Sequence, residues 1–585
     1  MRYCVCYVVG MHIHIVPNRG ARPTILLRES YREGKKVKKR TIANLSHLPM
    51  HQIALLRAVF QGADLQPAGL GFVVERSQPA GHVDAVQRMM GRLGLPALMA
   101  SKPCRERDLV LALIAARILD PRPKLATTRS WAATTLADTF GVTWADEQDC
   151  YAAMDWLWAR QDRIQKKLAA RHLKADGLVL YDLSSSYFEG TTCPLARRGY
   201  SRDGRRGTLQ VNYGLMTDDR GCPVAVTVHE GNTADPTTLM PEIARVRDAF
   251  GITQFVMVGD RGMISRAAIT TLRDQGGIDW ITALKSASIR TLVEDKTIQP
   301  DLFDERNLAE ITHPDYPGER LVACRNPQLA SLRAHKRAEL LQATEEDLAK
   351  IAARIQAGRL KGQDQIGVAV GRVVNRYKMA KHMSVTITDT SLAFVRKDDA
   401  IAAEVALDGM YIIRTSVPPE RLDAACCVRH YKSLSQVERA FRSMKTVDLK
   451  VRPIHHRLSD RVRAHIFLCM LAYYVEWHLK ESWRELLFAD EDQEARATRD
   501  PVAPAQRSEE AKAKVARRHH EDGTPIHSFQ TLLAELATIV RNTCRGQPPP
   551  CGGTSAEEGA PTFSVTTQPN PLQARAMALI DALAV

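Results

Sequence analysis

Two short apolar runs constrain this chain more than any other feature. They are GLVLYD, Gly177 to Asp182, and QFVMVGD, Gln254 to Asp260. A run of this length, bounded by turn residues, reads as a buried strand. Each ends in a carboxylate. A single acid in that place is more often a turn or helix-cap residue. Two acids at the ends of separate apolar strands meet if the strands are neighbours in one sheet.

The residues around them supply the rest of a sheet. Thr208–Thr217 and Pro223–His229 read as strands joined by a turn at Asp218 to Gly221. A helix over Thr237–Phe250, a helix over Ser265–Gln275 and a strand over Trp280–Leu284 follow. Strand, strand, strand, helix, strand, helix, strand is the order of an RNase H-like core, which makes the fold α/β. Residues 177–285 form its first part. Residues 286–407 interrupt it as an α+β insertion, with a long charged helix at about Pro327–Ala357 and strand-like runs at Ile366–Val374 and Met383–Thr388. The strand-like Met410–Thr415 opens the second part, residues 408–484.

That second part holds YKSLSQVERAFRSMKTVDLK, Tyr431 to Lys450. Leu434, Val437, Phe441 and Met444 recur at helical spacing, and no Gly or Pro interrupts them, so the stretch reads as one amphipathic helix. At about 100° per residue, Tyr431, Glu438 and Lys445 share a narrow stripe, with Arg442 beside it. A carboxylate among a phenol, a guanidinium and an ammonium suits a metal-bound phosphodiester. A solvated helix with an i,i+4 pair of Glu438 and Arg442 accounts for the same residues.

The N-terminal part, residues 1–79, reads as a β-hairpin region and linker. Alternating runs from Pro23 to Leu45 flank Glu33-Gly34. The second strand carries Lys38, Lys39 and Arg40, which suit a phosphate backbone. Lysines protecting a solvated edge are the alternative. Met11 is a second candidate initiator. Residues 80–176 are helical, with candidates His82–Leu93, Glu106–Leu119, Lys124–Phe140 and Gln148–His172, and form a candidate DNA-binding region with basic residues at Arg160, Arg163, Lys166, Lys167 and Arg171. Residues 485–585 read as a helical, low-order end.

Of the 585 residues, 81 are Lys or Arg and 66 Asp or Glu, a net charge of +15, which favours an anionic polymer as partner. The twelve cysteines form no CxxC pair, and none of the paired histidines has further ligands at metal spacing. This argues for reduced thiols and a cytosolic chain. No run of about 18 uninterrupted apolar residues exists, so no membrane span is expected, and the most apolar helix, Ala464–Leu479, carries His465, Glu476 and His478 and reads as core.

At the three acids the sequence resembles the DDE transposases of bacterial insertion sequences, and more narrowly the group with a Tyr-Arg-Glu-Lys signature. Tyr431, Glu438 and Lys445 match that signature by position, while Leu434 stands at the Arg position, which Arg442 would have to fill. The runs YDLSSSYFEG, GYSRDGRRGTLQV, GNTADPTT, VGDRGM, DGMYIIRT and HHRLSDRVRAHIFLCMLAY also look like the family, across residues 11–545. The resemblance implies a catalytic, metal-binding set of Asp182, Asp260 and Glu438 with two Mg²⁺ ions, Mn²⁺ substituting. It implies nicking at the ends of the element and strand transfer by the freed 3′-hydroxyl. Tyr431, Arg442 and Lys445 would touch double-stranded DNA at the terminal repeats or target, in a synaptic homodimer in the bacterial cytoplasm at the nucleoid. An RNase H-like nuclease without strand transfer, or an inactive DNA-binding derivative, are the alternatives.

Overall fold

The computed structural model describes residues 10–18, 21–34, 36–60, 72–205, 207–299, 303–492, 498–546 and 562–583. The chain divides into two compact units. One comprises Met1–Gln78 with Val540–Thr567, and the other Pro79–Ile539 with Gln568–Val585.

In the first unit, β1 (Gly10–Asn18), β2 (Ala21–Glu33) and β3 (Lys36–Asn44) form an antiparallel sheet in that order. The expected hairpin is β2–β3. It turns at Gly34, whose φ of +61° is a conformation that glycine adopts without a Cβ penalty. A third strand, β1, which the sequence reading did not anticipate, covers the other side of β2. Ile25 is buried on this sheet, and Ile53 is buried on the helix Met50–Phe60, which packs against β1. A second small sheet joins β4 (Phe72–Pro79) to the strands Val540–Gly546 and Thr562–Thr566. The C-terminal region therefore supplies strands to the N-terminal unit, where a helical, low-order tail was expected. Part of the expected linker, residues 61–71, and the apolar residues 1–9 lie outside the described residues.

The second unit is built on an eight-stranded mixed sheet. Its further strands are β5 (Leu178–Tyr187), β6 (Gln210–Thr217), β7 (Pro223–Glu230), β8 (Phe255–Gly259), β9 (Ile278–Ala283), β10 (Leu308–Ile311) and β11 (Arg320–Arg325), followed by β12 (Met383–Ile387), β13 (Leu392–Arg396) and β14 (Met410–Thr415). The large sheet runs β10-β11-β14-β9-β8-β5-β6-β7, and β12 pairs only with β13. β5, β8 and β9 are parallel, and the other pairs are antiparallel. The helix Ser459–Ser482 is buried almost all round, as its apolar sequence requires. It packs on β7 and on the helices Arg105–Leu119 and Glu147–Trp158, so the helical region and the sheet share one core.

Several elements differ from the sequence reading. Ile366–Val374, taken as a strand, lies in the helix Gln363–Tyr377. Ile366, Val370 and Val373 fall at i, i+4 and i+7 and bury against the long helix Pro327–Gln356, so the helical period prevails over the local alternation. The insertion is also not one body. Its β10 and β11 extend the main sheet beyond β14, while residues from about 327 to 405 close over a core of their own. The expected helix Gln148–His172 breaks at Ala159 and Arg160, into Glu147–Trp158 and Gln161–His172. Lys124–Phe140 ends as a helix at Ser130 and continues as shorter turns.

Three basic residues of Gln161–His172 are engaged within the protein. Arg163, Lys167 and Arg171 donate to the carbonyls of Met99, Leu98 and Leu93, at 2.6, 3.2 and 2.7 Å. They satisfy the free carbonyl ends of neighbouring helices, where the dipole also favours a cation.

Lys124 is buried beside Arg117, Cys150 and Cys469. Burial, then the charge of Arg117, pushes its ammonium down to about 7. The folded pKa lies below the unfolded one, so the unfolded chain binds more protons between about pH 7 and 10, and stability rises with pH across that window. Lys124→Met is expected to raise stability at pH 7 by roughly 4 kcal/mol, at 1.36 kcal/mol per pKa unit. Thermal midpoints at pH 7 and pH 10 check this, because the methionine protein should lose the rise.

Candidate active site

β5 and β8 run parallel with Tyr181 opposite Gly259. One residue further, each chain carries an aspartate, so Asp182 and Asp260 stand side by side where the β8 ladder ends. β8 stops because the chain turns at once. Met263 N–H returns to the Asp260 carbonyl at 2.9 Å, and Gly262 N–H points to the Asp260 carboxylate at 3.4 Å. β5 does not stop. It runs five residues beyond Asp182, paired there with β6. Asp182 therefore lies mid-strand and not at a strand exit as expected. Gly214 on β6 makes room for the neighbouring Tyr181, since a Cβ there would meet the Tyr181 hydroxyl at 2.1 Å.

Glu438 reaches the acids from a helix. Leu434–Arg442 packs on β5 and buries Val437, Ala440 and Phe441, with Phe441 edge-on to Tyr213 at 5.7 Å. Glu438 lies on the exposed side. The preceding helix, Ala424–Lys432, brings the Tyr431 hydroxyl to 3.4 Å from Asp260 Oδ1. Burial and then the Asp260 charge push that phenol well above its usual range.

The electrostatics join the three acids. Asp182 is half-buried, and its carboxyl is pushed up to about 7. Burial is the largest cause. The negative charges of Asp260 and Glu438 push the same way, while the Leu183 N–H, at 2.8 Å, and Arg202 oppose them.

The stretch Tyr431–Lys450 is not the single helix that its periodicity suggested. The first helix ends at Lys432, where Ser433 Oγ closes on the His430 carbonyl at 2.6 Å. The second ends at Arg442 and passes into a π-helical turn, Ser443–Val447. That turn holds an extra residue, so positions after Arg442 slide out of the 100° phase. Arg442 stays exposed. Lys445 turns inward instead. It is 8% exposed and binds Asp203 Oδ1 at 2.9 Å, with burial lowering its ammonium pKa. Arg452 holds the same Asp203 oxygen, and Asp203 Oδ2 accepts the Tyr187 N–H at 2.9 Å.

Leu434, at the signature's Arg position, packs partly buried against the core. A guanidinium arrives from elsewhere. Arg202, in the loop between β5 and β6, acts on Asp182, pairs with Asp235, and is held by its N–H to Ser185 Oγ at 2.9 Å. Within the run GYSRDGRRGTLQV, nothing along the chain marks Arg202 or Asp203 apart from its neighbours. The density of charge in a loop between two buried strands was the available signal.

In the first unit, Lys38, Lys39 and Arg40 lie exposed on β3. Lys38 pairs with Glu33, Arg40 pairs with Glu29 at 2.8 Å, and Lys39 stands opposite Ser30. Among the described residues, no helix is long and apolar enough to cross a membrane.

The mixed sheet thus carries two adjacent aspartates, and a helix packed on it carries a glutamate. Residues 176–475 match the family described as the transposase DDE domain, and the chain belongs to that family. More particularly, residues 13–67 match the N-terminal domain of IS1634 family transposases, so this is a DDE transposase of an insertion sequence. No curated protein matches the chain. Among solved structures, one similar chain is the piggyBac transposase in its synaptic complex with hairpin DNA, at 8% identity and a TM-score of 0.34, covering 78% of this chain and 77% of that one.

Proposed function

We propose that this transposase nicks DNA at the ends of its element and joins the freed 3′ ends to target DNA, with Asp182, Asp260 and Glu438 holding divalent cations. The observation that carries the reading is the placement of the three acids: Asp182 and Asp260 adjoin on the parallel strands β5 and β8, and Glu438 lies on the helix packed against β5. The charges of Asp260 and Glu438 add to burial in pushing Asp182 up to about 7. Three hard oxygen donors with too little positive charge among them suit Mg²⁺, two ions in this reading, with Mn²⁺ in substitution. When bound, such ions make the attacking oxygen a stronger nucleophile and stabilise the leaving one. The sheet order β7-β6-β5-β8-β9, with β6 and β7 antiparallel and β5, β8 and β9 parallel, supports an RNase H-like core.

The protein's own groups position the DNA. Tyr431 approaches the acids from one side and Arg202 from another, and both suit the phosphate at the cleaved bond. Arg442, exposed past Glu438, contacts DNA further along, while Lys445 acts indirectly, through its ion pair with Asp203, on the loop that carries Arg202. Lys38, Lys39 and Arg40 give β3 the charge to follow a phosphate backbone at the terminal repeats. Two copies, each holding one end, make up the synaptic complex at the bacterial nucleoid.

Purified protein on the DNA flanking its own gene tests this. Cutting at the ends and joining are expected with Mg²⁺ or Mn²⁺, and neither with EDTA. Cutting without joining would make it a nuclease. Specific binding to the ends with no chemistry under any metal would make it an inactive derivative, a reading that the three acids oppose and for which Leu434 leaves room.

A further inference from the structure

Away from the three acids, the fold gathers a second set of metal-ligating side chains from distant parts of the chain. His172 ends the helix Gln161–His172, Cys222 ends the β6–β7 return, and His478 lies on Ser459–Ser482. One ligand atom from each lies within 4.8 Å of the others. Cys222 is fully buried and His478 is 6% exposed. Nothing in their spacing reveals the cluster, because three separate elements of the second unit bring it together.

The surroundings are those of a ligand set. The His478 Nδ1 lies 2.8 Å from the Tyr474 carbonyl. A carbonyl only accepts, so Nδ1 carries the proton and Nε2 keeps its lone pair. The His172 Nε2 lies 2.9 Å from the hydroxyl of the same Tyr474. One tyrosine thus orients both rings and leaves one nitrogen of each uncommitted, which is the outer contact that metal-binding histidines use. The nearby cations are occupied. Arg220 pairs with Asp218 at 2.8 Å, and Arg171 donates to the Leu93 carbonyl and the Tyr474 hydroxyl.

We propose that His172, Cys222 and His478 bind one divalent cation of the zinc class, which clamps the β6–β7 return to the helical layer. Two imidazoles and a thiolate are the donors that such an ion takes, with a fourth position left for water. Binding releases the Cys222 thiol proton to solvent and forms the metal–sulfur bond. The clamp lies next to the active-site helix. Gly221, one residue before Cys222, has a φ of +86°, and a Cβ there would sit 2.7 Å from Gln436 Cβ, two residues from Glu438. A return held by the ion is a fixed seat for that helix.

The test uses the full chain, purified without added metal or chelator, with zinc measured by elemental mass spectrometry and the protein then reloaded with Co²⁺. About one zinc per chain is expected. The cobalt protein should show a thiolate-to-cobalt charge-transfer band, which carboxylate ligands cannot give. The band should vanish in Cys222→Ser and persist in Asp182→Asn, which separates this ion from those at the acids. Should Cys222→Ser not fold, His172→Gln and the wild type carry the test. His172→Gln should weaken Co²⁺ binding at least tenfold. Stripping the wild type with a chelator should lower its thermal midpoint by several degrees, with zinc restoring it. A cobalt-loaded wild type without the band, a band that survives in Cys222→Ser, or a midpoint indifferent to stripping would overturn the proposal.

Discussion

Asp182→Asn is expected to abolish cleavage and joining while making the metal-free protein more stable. The loss of activity should be about 10³-fold or more, because an amide is neutral and a poor partner for a divalent cation. The gain in stability follows from the position of the carboxyl. Its folded pKa is pushed up to about 7, by burial first and by Asp260 and Glu438 after it. The folded state therefore binds more protons than the unfolded one between about pH 4 and pH 7, and stability falls as pH rises through that window. Above pH 7 the ionised side chain costs roughly 4 kcal/mol, and asparagine removes the cost. Thermal midpoints in EDTA at pH 4, 6 and 8 measure it. The variant's advantage should be near zero at pH 4, grow to pH 7 and then level off. Glu438→Gln alters an exposed carboxylate, and should lose the same activity without that gain. An Asp182→Asn protein no more stable than wild type at pH 8 would refute the uncompensated charge.

Asp203→Ala should destabilise the second unit by about 3–5 kcal/mol, the cost of leaving buried charges without their partner. Asp203 is the shared counter-ion of Lys445 and Arg452, and its side chain is 1% exposed. It also accepts the Tyr187 N–H, so one carboxylate ties the loop after β5 to that strand and to the π-helical turn. Its neighbour Arg202 acts on Asp182. Releasing the loop should therefore lower activity as well as the thermal midpoint. Asp203→Asn keeps an acceptor for Tyr187 but not the charge, and should fall between alanine and wild type. An unchanged midpoint in Asp203→Ala would show that the two cations find other partners.

Beneath the π-helical turn lies a second buried ionic group. The Ser443 hydroxyl contacts Asp448 at 2.8 Å and Glu476 at 2.6 Å, and Lys480 pairs with both acids. Burial pushes Glu476 up to about 7. The sequence reading noticed Glu476 only as a charge within a core helix. Lys480 is its neighbour at i+4, but Ser443 comes from the distant π-helical turn, so that part of its role was invisible along the chain.

The strands before Asp182 and Asp260 were legible because a short apolar run reads as a buried strand; the continuation of β5 past Asp182 was not, because Ser184, Ser185 and Ser186 lack that signal. The β2–β3 hairpin was legible because alternation and Glu33-Gly34 are local. Ile366–Val374 was misread because a short apolar run fits two periods, and the neighbouring helix Pro327–Gln356 selected the helical one. Lys445 was placed on the Glu438 stripe by a count that assumes unbroken α-helix. The π-helical turn, stabilised from outside by Glu476 and Asp448, changed the count.

By itself, the sequence determined the helix and strand character of most elements about Asp182, Asp260 and Glu438, and the basic charge that suits DNA, because propensity, periodicity and charge are properties of neighbouring residues. Only the tertiary structure decided that Asp182 and Asp260 adjoin, that Arg202 takes up a place near Asp182 and that Lys445 leaves the stripe for Asp203. It also decided that His172, Cys222 and His478 meet. Each of these depends on strand order and helix docking, where residues far apart in the chain compete for the same buried space and the same charge.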